Sequence, residues 1–240
     1  MKKSKKSILK KIFIGIFILL LALTVGFFVY LSDYYRADEL ATDLLQNDPS
    51  IHLKSNHLVI RPVESTNRAI IYYPGAKVEY HAYLPLLKEI SERSDIMIIL
   101  VKMPFNMAIF DSDAADEIIS SYPEVEHWFM AGHSMGGAMA SAYASKNPNQ
   151  VDGLILMGAY LYGSYPEEKT LTIYGTLNSS VADKIDYTSN IVVIEGGNHA
   201  QFGNYGPQKG DPAASITDLK QQSITVDSVH DFLEERRNQP

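Results

Sequence analysis

The sequence predicts an α/β protein: a doubly wound, mostly parallel sheet with helices on both faces, preceded by one N-terminal transmembrane helix. Three observations predict it. Short apolar runs recur along the chain and are near-continuous rather than alternating, as strands covered on both faces require. Helical stretches separate those runs, and strand–helix alternation builds a parallel sheet. The twenty residues from Ile12 to Leu31 carry no charge, and a helix of that length spans roughly 30 Å, the thickness of a bilayer's hydrocarbon core.

The N-terminal element comes first. Lys2, Lys3, Lys5, Lys6, Lys10 and Lys11 precede the apolar run, while Asp33, Asp38 and Glu39 follow it with one Arg36. That asymmetry predicts a cytoplasmic basic tail over 1–11, a single-pass anchor over 12–31 in the cell membrane, and an extracytoplasmic domain. A cleaved signal peptide is the competing reading. Its apolar region is normally shorter and ends at a small-residue site, whereas this run ends Val29-Tyr30-Leu31-Ser32-Asp33. A polar connecting segment, partly helical and broken at Asn47-Asp48-Pro49, is expected over 32–56, and one globular domain over 57–240.

Within that domain the runs 69–73, 96–101, 127–130, 154–157, 171–174 and 191–194 read as strands. Helices are expected at about 80–92, 112–121, 135–146 and 215–236. No repeat, low-complexity segment or second soluble domain stands out.

Composition narrows the function classes. The chain has 21 basic and 28 acidic residues. The six N-terminal lysines set aside, 15 basic against 28 acidic residues remain, a charge of −13 on the rest of the chain. A domain that acidic is a poor partner for nucleic acid, whose phosphates demand Lys and Arg. There is no cysteine, which excludes disulfides and Cys-based metal sites.

The strongest local signal is Gly132-His133-Ser134-Met135-Gly136-Gly137. It follows an apolar strand and opens a helix rich in small residues. A chain turning that sharply from strand to helix presents Ser134 at the sheet's carboxyl edge, with glycines where Cβ atoms would collide. Ser134 is the candidate nucleophile, and the N–H of Met135, next in the chain, is one candidate oxyanion donor. The second is expected after the strand 69–73, at the N–H of Ala76 in Pro74-Gly75-Ala76-Lys77.

A general base must follow the nucleophile in this architecture. His199 and His230 qualify by order. His199 sits in Glu195-Gly196-Gly197-Asn198-His199, directly after the strand 191–194, where parallel sheets place ligand chemistry; His230 lies inside a helical pattern. The Gly-rich loop 201–210 is a candidate wall of the site. The triad's acid is expected after the strand 171–174, and Asn178 stands there. Asn accepts a hydrogen bond from an imidazole but brings no charge; the equivalent Asp→Asn change in a serine protease costs about 10⁴ in kcat. Three alternatives stay open: Asp183 swings in to supply the carboxylate, Asn178 orients His199 in a slow enzyme, or the pocket only binds. Asp186 and Glu195 are weaker substitutes. Only Tyr160 to Thr170 intervene between two of the strands, which leaves no room for a helical cap. Met103 to Met107 and the tyrosines 160, 162 and 165 are candidate apolar walls.

These residues resemble the α/β-hydrolase superfamily. The elbow 132–137, the segment Gly196-Gly-Asn-His-Ala-Gln-Phe-Gly203 and the Tyr73-Pro74-Gly75 loop are most similar to its small, capless, dienelactone-hydrolase-like branch, which includes bacterial membrane-anchored members. The resemblance implies a Ser134 nucleophile, a His199 base, oxyanion donors at Met135 and near Ala76, and no cofactor. Its acid position falls on Asn178. The substrates it implies are esters, lactones and related acyl compounds, either small molecules or components of the cell envelope. A serine hydrolase is therefore expected, with a catalytically weakened binding module, or acyl transfer to an envelope acceptor, as alternatives. Oligomeric state is not legible.

Overall fold

The computed structural model describes residues 2–237; position 1 of the expected tail and positions 238–240 of the expected domain lie outside the described residues. The chain divides into two units, one ending at Tyr34 and the other beginning at Tyr35. The first is a single helix, α1 (Lys2–Ser32). Its segment Ser7–Ser32 contains an 18-residue window of mean hydropathy 3.0 and is long and apolar enough to cross a membrane.

The second unit is built on eight strands: β1 (Ile51–Leu53), β2 (His57–Ile60), β3 (Arg68–Tyr73), β4 (Met97–Val101), β5 (His127–His133), β6 (Gly153–Met157), β7 (Thr170–Gly175) and β8 (Ile191–Ile194). Their order across the sheet is β1-β2-β4-β3-β5-β6-β7-β8. β3 to β8 run parallel, while β2 is antiparallel to both β1 and β4. The helices are α2 (Glu39–Asn47), α3 (Leu84–Ser94), α4 (Ala115–Ser121), α5 (Met135–Lys146), the single turn α6 (Ser179–Ala182) and α7 (Asp218–Arg237).

The near-continuous apolar runs are explained by the two faces they serve. Along β3 and β4, Ile70, Tyr72, Ile98 and Leu100 enter one core with α3 and α7. Their sequence neighbours Ile71, Tyr73, Ile99 and Val101 enter the other, with α4 and α5. Successive side chains on a strand point to opposite faces, so a strand buried on both must be apolar throughout. Each of β2 to β6 is buried along nearly its whole length.

Two expectations are corrected. Residues 35–56 do not merely connect: they belong to the second unit. Asp38 caps α2 by accepting the Ala41 N–H at 2.9 Å, and β1 pairs with β2 as an edge hairpin. The helix expected from about 80 begins as a 3-10 turn over Tyr80–Tyr83, with α3 proper starting at Leu84 ahead of Pro85. Proline at the first turn removes an N–H that has no partner there anyway.

The sheet also sets where chemistry belongs. From β3 the chain crosses to β4 on one side, and β5 lies on the other, with Tyr73 paired to Gly132. Loops leaving β3 and β5 therefore diverge at their carboxyl ends, and that crevice is where open α/β sheets bind ligands.

Candidate active site

Ser134 stands at the end of β5 with φ 54° and ψ −123°. For a residue with a Cβ this is a strained conformation, sustained only where the surroundings over-determine it. Its N–H is tied to the Met157 carbonyl at 3.0 Å, and α5 begins at the next residue. A Cβ on Gly136 would lie 2.1 Å from the Tyr73 carbonyl oxygen and 2.4 Å from that of Pro74. That contact presses the elbow against the loop carrying Ala76. The Gly75 N–H is bonded to the Tyr83 hydroxyl and the Lys77 N–H to the Asn106 carbonyl. Neither the Ala76 nor the Met135 N–H has a hydrogen-bond partner among the described residues, so both remain free to donate to a ligand.

Ser134 and His199 line one cleft of about 500 Å³ with Leu177, Asn178, Lys209 and Asp211. No hydrogen bond joins the Ser134 hydroxyl to His199 among the described residues. Such bonds commonly tighten only when substrate arrives. The loop 201–210 does contribute a wall, through Gln208, Lys209 and Gly210.

The structure brings Asn178, not Asp183, to the histidine. Asn178 is buried, and its amide nitrogen lies 2.8 Å from His199 Nδ1. Its Oδ1 accepts from the Ser180 hydroxyl at 3.0 Å. Asp183 is exposed at the end of α6, and neither it, Asp186 nor Glu195 makes a hydrogen bond to His199 among the described residues. All three are exposed, as charged groups without a buried partner are. Of the expected apolar walls, Tyr165 is core, its hydroxyl donating to the Val151 carbonyl, and Met103 is buried. Tyr162 is exposed.

Three residues that sequence reasoning did not assign hold the site together. The Gly75 N–H donates to the Tyr83 oxygen at 3.1 Å, and the Tyr83 hydroxyl lies 2.8 Å from His133 Nδ1. His133 Nε2 lies 3.0 Å from the His199 carbonyl. A carbonyl only accepts, so Nε2 carries the proton, and Nδ1 receives the Tyr83 O–H. Burial holds His133 well below the ordinary imidazole range, which agrees with a neutral ring in that tautomer. The third residue is Asp211, whose two carboxylate oxygens accept the N–H groups of His199 and Ala200 at 3.1 and 2.8 Å. Burial lowers the His199 pKa, and Asp211 opposes that shift. His133 carries a partial signal in its place beside Ser134; Tyr83 and Asp211 lie in segments whose local patterns pair them with nothing.

The profile of the alpha/beta hydrolase family matches residues 69–223. No match was found among curated proteins. Solved structures sharing the fold include a bacterial membrane phospholipase A described as a virulence factor, at 14% identity over 95% of this chain and 100% of that one, with a TM-score of 0.56. Est1E from Butyrivibrio proteoclasticus is 13% identical over 79% of this chain and 98% of that one, with a TM-score of 0.54. A dienelactone hydrolase from Anabaena variabilis is 13% identical over 75% and 90%, with a TM-score of 0.50. At these identities the likeness is one of fold.

Proposed function

The chain belongs to the α/β hydrolase family, and from that premise we propose that it is a serine hydrolase cleaving an ester, lactone or related acyl bond, tethered to the cell membrane by α1 with its hydrolase unit on the outer side. The observation that carries the proposal is Ser134: a non-glycine residue held at φ 54°, opening into a cleft it shares with His199. Strain of that kind is kept where the hydroxyl must be presented.

In this reading Ser134 Oγ attacks the acyl carbonyl while His199 Nε2 takes its proton. The free N–H groups of Met135 and Ala76 hold the oxyanion. His199 then returns the proton to the leaving group, and water releases the acyl enzyme. Burial, which lowers the His199 pKa against the opposing pull of Asp211, favours the unprotonated ring that the first step needs. The six N-terminal lysines and the acids after Leu31 support the orientation, and the cleft's open, capless rim supports a substrate whose bulk stays outside it.

A fluorophosphonate probe is the first test. The full chain is expected to label, and Ser134→Ala to abolish labelling. An unlabelled wild type, or equal labelling of the variant, sinks the reading. The second reading is a binding module with weakened chemistry, favoured by the Asn178 amide nitrogen drawn toward His199 Nδ1. That contact puts the ring proton on Nε2, where it blocks acceptance of the serine proton. A ligand that raises thermal stability with no turnover of any short-chain p-nitrophenyl ester supports this second reading.

A further inference from the structure

We propose that Asp211 supplies the negative charge that position 178 lacks, acting on His199 through the main chain while Asn178 holds the ring. The proposal rests on Ser134 and His199 being nucleophile and base. In a serine triad one carboxylate does two jobs: it fixes the imidazole, and it offsets the charge the ring acquires. An amide does the first alone. Here the position beside Nδ1 is filled by Asn178 at 2.8 Å.

Asp211 reaches the same residue from its backbone side. Oδ1 accepts the His199 N–H at 3.1 Å and Oδ2 the Ala200 N–H at 2.8 Å. With both oxygens engaged on consecutive amides, the carboxylate is fixed in place and orientation. It lines the cleft that holds Ser134 and His199. The segment carrying it is fastened to the histidine loop: Asn198 Nδ2 donates to the Pro212 carbonyl at 2.9 Å, and the Ser215 N–H to the Gly196 carbonyl at 2.9 Å.

Among the described residues, the titratable groups facing His199 are His133 of β5, whose ring centroid lies 4.5 Å away, and Asp211; Lys209 lines the cleft beside them. His133 is neutral and buried, and Lys209 has the wrong sign. Asp211 alone of these favours an imidazolium, and it counters the depression that burial imposes on the ring. Asp211 is thus a positioning residue: it acts through the main chain of the proposed base. An opposite charge within about 4–6 Å of an ionising group shifts its equilibrium by one to three powers of ten, and Asp211, acting from the main-chain side, is expected at the lower end of that range.

The test uses the full chain in detergent, with Asp211→Asn made alone and on an Asn178→Asp background. Alone, the change is expected to lower kcat on an activated ester by about tenfold or more with KM little moved. The acid limb of kcat/KM shifts to lower pH, because the imidazolium has lost its partner. Asp211→Glu recovers part of the rate. With Asp at 178 the charge is back at the ring, and the same change costs less than about threefold. Equal losses on both backgrounds, or an unmoved acid limb, mean a merely structural role and overturn the proposal. A readout independent of turnover is the NMR titration of the His199 ring, assigned by its loss in His199→Gln. Its pKa is expected to fall in Asp211→Asn, and in Asp211→Ser should the first variant not fold; an unchanged value overturns the proposal. If Ser134 fails to label with fluorophosphonate, the hydrolase reading fails. If it labels and the His199 titration does not move, only the role of Asp211 fails.

Discussion

The contact between Asn178 and His199 decides where a proton sits. With Nδ2 toward the ring, the amide donates to Nδ1, and the neutral imidazole must carry its hydrogen on Nε2. With the amide turned by 180°, Oδ1 accepts from an Nδ1–H, and Nε2 presents the lone pair that the proposed attack by Ser134 requires. Ser180 satisfies either orientation, because its hydroxyl, 3.0 Å from the amide oxygen, donates in one and accepts in the other. The two arrangements therefore have equal numbers of hydrogen bonds, and only one is competent. A carboxylate removes the choice, since both its oxygens accept. Asn178→Asp is expected to raise kcat by about tenfold or more, short of the ~10⁴ by which the reverse change damages a serine protease. Initial rates on p-nitrophenyl acetate measure it. A variant that folds, labels with fluorophosphonate and turns over no faster than wild type excludes the tautomer argument. Position 178 was legible from sequence because it follows a strand whose place in the sheet was legible. Asp211 was not: it lies twelve residues beyond His199 in a loop, and only the folded chain brings its oxygens to the His199 and Ala200 amides.

Elements carry this residue chemistry because three of them are bonded in series. The loop after β3 carries Gly75, whose N–H binds Tyr83 ahead of α3. Tyr83 binds His133 on β5, and His133 binds the carbonyl of His199 in the loop after β8. The proposed oxyanion loop, nucleophile strand and base loop are thereby set relative to one another by buried side chains. There is no slack in the arrangement: a Cβ on Gly75 would meet both His133 Nδ1 and the Tyr83 oxygen at 2.7 Å. Tyr83→Phe keeps the ring but leaves the Gly75 amide and His133 Nδ1 without partners in a fully buried site. The expected loss is about 1–3 kcal/mol of stability, read from urea unfolding, with kcat falling more than KM rises as the Ala76 amide loosens. Stability and kcat both within error of wild type would remove the series from the account. The long apolar strands β3 to β6 and helix α5 were readable in the sequence, since burial on both faces leaves a mark in composition. The β1–β2 hairpin was not. β1 is three residues with His52 at its centre, and β2 opens on His57, a polar residue whose burial is made tolerable by the Tyr122 hydroxyl 2.7 Å from its Nε2.

For the whole molecule the same buried histidine gives stability a pH dependence of definite sign. His133 is fully enclosed, and burial holds its folded-state pKa well below the unfolded value near 6.5. Above pH 6.5 neither state binds the proton, and stability is at its full value. Below it the unfolded chain takes up a proton that the folded chain refuses, so stability falls with falling pH until the folded value is reached. The slope for one such group approaches about 1.4 kcal/mol per pH unit. His57, His81 and His199 are also depressed by burial and act in the same direction with smaller weight, because each keeps part of its surface or a nearby carboxylate. Carboxylates held below their ordinary range, such as Asp48 with its Ser50 and Lys88 bonds, begin to contribute only near pH 4, so the first loss belongs to the histidines. Urea midpoints of the full chain in detergent are expected to be flat from pH 8 to 6.5 and to decline between 6.5 and 5. His133→Gln keeps a donor and an acceptor without a titrating ring; it lowers stability at neutral pH through imperfect replacement of two hydrogen bonds, yet flattens the decline. A wild type whose midpoint holds steady to pH 5, or a variant that declines as steeply as wild type, would show that the proton excluded at His133 does not govern acid stability.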